Sequence, residues 1–191
     1  MDTKPSYLGL LNAIAVGEAR GERLLAAWAD ATADEALAAT LRVVAVRERE
    51  HAAAFAKRIC ELGFAVREDD DPEFEARLAC ARGAPSDTQR FETLLDFGGE
   101  RDTVAGLDAL LADRSIDPQT GALLGRFIAE ERDSDRLLHA HYERLGAAAP
   151  PPVTSRVASA GNEAKDEARP DRLEAQIDQL RGFIDPRRRS T

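Results

Sequence analysis

The sequence predicts an all-α protein: four long helices forming two antiparallel hairpins joined by one long crossover, with a short helix on a linker behind them. Three observations predict it. Alanine, leucine, glutamate and arginine are abundant and β-branched runs are scarce, so local preference is helical. Apolar residues recur at helical spacing in four stretches of residues 1–146. The prolines fall between those stretches. Much of the 43% apolar content is alanine and only 5% is aromatic, which suits helices packed closely through small side chains.

The first helix is predicted from about Pro5 to Asp30, with the inward stripe Leu11, Ile14, Glu18, Leu25 and Trp28. A turn at 31–33 follows, and Thr32 with Glu35 three residues on makes a capping-box signature. The second helix runs to Leu62 and stops at Gly63, which fits a left-handed residue just past a helix end. Its stripe is Leu37, Leu41, Val44, Glu48, His51, Phe55, Ile59 and Leu62. Residues 63–86 hold an acidic run, Pro72, a short helical piece near 73–81, and Gly83-Ala84-Pro85. Ser86 and Gln89 form a second capping box, opening a third helix over 87–113 with Leu94, Phe97, Glu100, Val104, Leu107 and Leu111 inward. Asp117-Pro118 starts the fourth helix, with the aspartate as N-cap and the proline at the first helical position. That helix is expected to end near Leu145-Gly146.

Connection lengths set the topology. Short turns join helices one to two and three to four, so each pair is an antiparallel hairpin. Helices of about 26 residues are roughly 39 Å long, and the 63–86 connection is long enough to cross that length. Residues 1–146 are therefore expected to be one bundle. An alanine- and proline-rich linker is expected over 147–170 and a basic tail over 185–191. Between them, 171–184 carries Leu173, Ile177, Leu180 and Ile184 on one helical face, a seam too short to stand alone in water.

Four glutamates interrupt the apolar stripes: Glu18, Glu48, Glu100 and Glu131. Burying an unpaired carboxylate costs several kcal/mol, so each needs a partner or a metal. Counting from the two turns, each lies about 14–15 residues from its turn, so all four reach one level of the bundle at 1.5 Å per residue. His51 follows Glu48 by three residues and projects from the same face. On helix four, Glu130 offers a competing register. Only Glu131 carries apolar neighbours throughout (Leu124, Phe127, Leu138, Tyr142, Leu145), with Asp133 as a fallback ligand. The alternative is that these glutamates lie at stripe edges, reaching water or pairing with Arg20, Arg47 or Arg101. His139 and His141 lie farther along the helix and are expected at its surface or edge.

A glutamate, a Glu-x-x-His, a glutamate and a final Glu-x-x-His on four successive helices resembles the ferritin-like superfamily, in particular rubrerythrin-like carboxylate-bridged di-iron domains. Glu18, Glu48 with His51, Glu100 and Glu131 match that order over residues 5–146, and the match breaks at Ser134, where the second histidine would stand. The resemblance implies a ferritin-like four-helix bundle and two irons or manganeses bridged by Glu48 and Glu131. Glu18 and Glu100 would be terminal ligands and His51 the nitrogen ligand, with the position nearest Ser134 weak, water-filled or empty. It also implies chemistry with O2 or peroxide, as ferroxidase or oxidoreductase, in a homo-oligomer. Iron storage in a larger shell and a metal-free bundle acting as a binding or structural module are the competing readings.

Charge and cysteines narrow the field. The net charge is −9, and the region after 146 holds eight basic and seven acidic residues, leaving −10 on residues 1–146. An acidic body argues against nucleic-acid binding, and the arginines at 187–189 read as a solvated tail. Cys60 and Cys80 lie far apart without a Cys-x-x-Cys motif, so the sequence offers no rubredoxin-like iron site. With no apolar stretch near the roughly 20 residues of a membrane span, a soluble cytoplasmic protein with reduced thiols is expected.

Overall fold

The computed structural model describes residues 4–97 and 115–148. Their regular structure is entirely helical: α1 (Leu8–Ala31), α2 (Glu35–Glu61), α3 (Pro72–Arg82), α4 (Asp87–Leu94) and α5 (Pro118–Ala148). Among these residues no helix is long and apolar enough to cross a membrane. Glu100 and the expected linker, C-terminal helix and basic tail (bar the first residues after 146) lie outside the described residues.

Helix ends follow local chemistry. At the α1–α2 turn the cap is Asp34, whose carboxylate accepts the Leu37 N–H at 2.9 Å. This corrects the Thr32–Glu35 capping box. The Thr32 hydroxyl instead accepts the Asp34 N–H and donates to Asp87 at 2.6 Å, so it serves the turn and a tertiary contact. At the far end of α2, Gly63 adopts φ +84°. Its N–H bonds the Cys60 carbonyl and the Phe64 N–H bonds that of Ile59, a Schellman closure that stops the helix. Asp71 caps α3 with Pro72 behind it, and Ser86 with Gln89 closes the expected capping box on α4.

The helix begun at Asp87 stops at Leu94 instead of continuing unbroken to 113. Asp96 takes φ 54°, a conformation aspartate tolerates better than most residues, and the Phe97 N–H turns back to the Phe91 carbonyl at 3.1 Å. The aromatic packing supplies the reason. Phe97 lies 5.1 Å from the ring of Phe91 and 5.5 Å from that of Tyr142, and it stacks on His139. The turn lets both phenylalanines enter one core.

Side-chain pairs set the helix directions. From one end of the α2–α5 seam to the other, Arg58 meets Asp117 and Thr120, His51 meets Glu130, Arg47 meets Ser134, Thr40 meets His141 and Asp34 meets Arg144. One number rises as the other falls, so α2 and α5 are antiparallel. Tyr7 bonds Asp117 while Glu18 lies against Glu131, so α1 and α5 run the same way. The chain after α2 returns along α1: Arg67 exchanges backbone hydrogen bonds with the Asn12 amide, and Arg20 holds Asp71 and the Asp69 carbonyl. The Phe74 ring of α3 then lies beneath the Arg23 guanidinium at 4.8 Å.

Two apolar cores result among the described residues. One gathers Leu25, Trp28, Leu41, Val44, Phe91 and Leu138 near the α1–α2 turn, and the other gathers Leu11, Ile14, Phe55, Ile59, Leu124 and Phe127 at the opposite end. Trp28 donates to Asp87 at 2.7 Å, and the same carboxylate pairs with buried Arg90, which pins α4 to α1. Between the two cores lies a polar layer.

Candidate metal centre

The layer exists because the apolar stripes of α1, α2 and α5 each break at the same level. Glu18 and Glu48 are wholly buried, His51 is 3% exposed, and Ser134 is buried on α5. On α5 the inward line is Leu124, Phe127, Ser134 and Leu138, which is the Glu131 register. Arg126 and Leu137 of the competing register are exposed.

Glu18, His51 and Glu131 offer one ligand atom each, all within 4.8 Å of one another. Ligand atoms at about 2.1 Å from one first-row dication stand at most about 4.2 Å apart, so a few tenths of an ångström of closure per arm would seat an ion. Two carboxylates and an imidazole form a donor set that suits iron or manganese better than magnesium. The residues present fit one such ion.

The two faces of the His51 ring differ. Nδ1 lies 3.0 Å from Glu18 Oε2 and 3.6 Å from Glu131 Oε1. Nε2 lies 2.7 Å from Glu130 Oε2, and Glu130 is itself held by Arg126 at 2.9 Å. Partial burial works against the charged form of Glu130, but hydrogen bonds from Arg126 and then His51 outweigh it and hold its carboxyl below the usual range. A carboxylate held ionised at Nε2 asks for a proton there. This leaves Nδ1 with its lone pair toward Glu18 and Glu131 when a cation is bound. Phe127 closes the ring edge-on at 5.2 Å, and Phe55 packs behind it.

Both registers on α5 are therefore used: Glu131 joins the three-residue group and Glu130 orients the imidazole from outside it. Glu48 is buried one turn before His51 but is not part of that group. Asp133, the fallback ligand, pairs with Arg47 at 2.8 Å and with Arg136 at 2.9 Å. The Arg47 hydrogen bond is the main reason its carboxyl lies below the usual range. Arg47 also donates to the Ser134 hydroxyl at 3.2 Å. Arg20 reaches the crossover, pairing with Asp71 and Glu68. His139 and His141 take roles outside the layer: one stacks on Phe97 and the other bonds Thr40. Cys60 and Cys80 are free thiols. Comparison of the chain with protein-family models, curated proteins and solved structures found no match.

Proposed function

We propose that this chain is a ferritin-like metal protein that binds iron or manganese through Glu18, His51 and Glu131, with Glu130 as the carboxylate that orients His51. One observation carries the reading. Three helices, two of them one hairpin and the third far along the chain, deliver two carboxylates and an imidazole to one point between two apolar cores. Burying such groups is costly unless a cation repays it, and a divalent ion does so at one stroke. The helix directions also suit the ferritin-like plan, since the chain crosses back along α1 between α2 and α4. The sequence pattern extends the reading to two ions, with Glu48 and Glu131 as bridges and Glu100 as a further ligand. It also implies ferroxidase or other oxidoreductase chemistry with O2 or peroxide.

The test is metal retention. Wild type, loaded aerobically with ferrous iron and desalted, should keep iron in elemental analysis, and His51→Ala should not. Oxygen uptake during loading measures ferroxidase activity, and light scattering separates a small homo-oligomer from a storage shell. Equal, background iron in both proteins would defeat the metal reading.

A second reading also has an observation behind it. Both His51 nitrogens already face carboxylates, at 3.0 and 2.7 Å, an arrangement that also suits a metal-free bundle whose layer is held by hydrogen bonds. The same loading experiment decides between the two.

A further inference from the structure

Val43, Val46 and Leu137 are large apolar side chains left in water, at 50%, 43% and 39% exposure. Val43 lies between Thr40 and Arg47 on α2, and Leu137 lies between Ser134 and His141 on α5. Thr40 bonds His141 and Arg47 bonds Ser134, so Val43 and Leu137 stand at one level on either side of the α2–α5 seam. The next residue in each case, Val44 and Leu138, is buried in the core, which puts Val43 and Leu137 on the outer side of the seam. Exposed Ala36 and Ala39 on α2 and Ala140 on α5 extend this face toward the α1–α2 turn. The α2 edge, at 36, 39, 43 and 46, repeats at coiled-coil spacing over a rise of about 15 Å.

We propose that this face is the docking site for residues 171–184 of the same chain, bound as a helix; it does not depend on the metal reading. That segment lies outside the described residues. Its seam, Leu173, Ile177, Leu180 and Ile184, repeats at the matching spacing over a helical rise of roughly 17 Å, close to the length of the face. The seam side chains are large where the α2 edge is mostly small, a combination that fills space without voids. The chain also leaves the bundle in the right place. α5 runs to Ala148, and Arg144 near its end bonds Asp34 at the start of α2, so the exit is at the Ala36 end of the face. Leu137 lies about 17 Å back along α5 by helical rise. A coil as long as residues 149–172 averages roughly 27 Å end to end, which returns the seam to the face without tension. The other exposed large apolar residues among those described, Phe64 and Val66, lie on the non-helical crossover and offer no strip of this length.

The test is hydrogen exchange by mass spectrometry on the full chain, with light scattering of the same samples. In wild type the amides of 171–184 should exchange about tenfold or more slowly than those of the linker, at a rate independent of protein concentration. The double variant V43E/L137E, which alters only exposed side chains, should remove that protection and leave the mass unchanged. The milder V43A/L137A should reduce it several-fold, and it keeps a helix-forming residue at both positions. Ile177→Glu should remove it from the other side of the contact without touching either apolar core. F64E/V66E should leave it as in wild type. Exchange at 171–184 as fast as in the linker of the wild type overturns the proposal. So does protection that survives both V43/L137 pairs, which would place the segment elsewhere. Protection that grows with protein concentration, or a mass that falls in V43E/L137E, would assign the face to a second copy and overturns it as well.

Discussion

One turn apart on α2, His51 and Arg47 face the same partner helix and meet it in opposite ways. His51 is enclosed: both nitrogens have carboxylate neighbours, and Phe127, backed by Phe55, closes the ring from the apolar side. Arg47 lies at the rim, its side chain 29% exposed, and it spans from the buried Ser134 to the half-exposed Asp133. The difference teaches that the layer's polarity is not uniform. Inside, a ring with two directed nitrogens selects geometry. At the rim, a long cation neutralises charge while keeping contact with water, so its burial cost stays low.

The largest expected effect is at the enclosed side. His51→Ala should abolish metal retention and, in the metal-free protein, lower stability by about 3 kcal/mol, because Glu18 and Glu130 lose their shared neighbour. Urea unfolding with and without metal measures both. A variant as stable as wild type would mean that the carboxylates never relied on the imidazole.

The α2–α5 seam has another polar contact at its Arg58 end, and it calibrates these two. Asp117 accepts from Tyr7 at 2.7 Å, from Thr120 at 2.7 Å and from Arg58 at 3.0 Å, and it also caps α5. Asp117→Ala should cost about 2 kcal/mol through the lost cap and the charge-assisted bonds. Metal content should not change, since the contact lies away from the layer.

Acid should expose the same contact. The Tyr7 and Thr120 hydroxyls, then Arg58, hold the Asp117 carboxyl well below the ordinary aspartate range. A carboxyl depressed in the folded state contributes stability that is complete above its unfolded value and is lost as pH falls through its folded one. Metal-free wild type should therefore lose stability below about pH 4, and Asp117→Asn should lose it less steeply. Parallel acid limbs in the two proteins would show that Asp117 titrates normally.

Adjacent carboxylates on α5 sharpen the comparison further. Glu131→Gln removes a member of the three-residue group, whereas Glu130→Gln leaves the group intact and loosens only the orientation of His51. The first should lower metal affinity more than the second, whose loss should be on the order of tenfold. Titration calorimetry with Mn(II) ranks them, and the reverse order would exchange their roles. The smallest effect belongs to the rim: Arg47→Met should shift the unfolding midpoint of the metal-free protein less than His51→Ala does.

Much of this was legible in the residues themselves. The stripes of α1 and α2, the stop at Gly63, the cap at Ser86 and the choice of Glu131 over Glu130 as the inward register all follow from periodicity and local hydrogen-bond chemistry. These are short-range effects, set within a turn or two of helix. The break after Leu94 was not legible, because it depends on Phe97 joining Phe91 against Tyr142 and His139, and no local pattern encodes those contacts with α5.

The candidate centre divides along the same line. Sequence by itself sets Glu18, Glu48, Glu100 and Glu131 at one depth, with His51 one turn beyond Glu48, since helical rise and turn position set depth within a hairpin; Glu100 lies outside the described residues. Only the tertiary structure decided which of them converge. Glu18, His51 and Glu131 come together while Glu48 stays one turn aside. It also showed that Glu130 reaches the outer face of the imidazole and that Arg47 occupies the place beside Ser134. The physical reason is side-chain length. Neighbouring residues on a helix point about 100° apart, so an inward stripe is a pattern of Cβ directions. Glutamate and arginine carry their charge several bonds beyond Cβ, and where that charge comes to rest depends on the helix packed opposite.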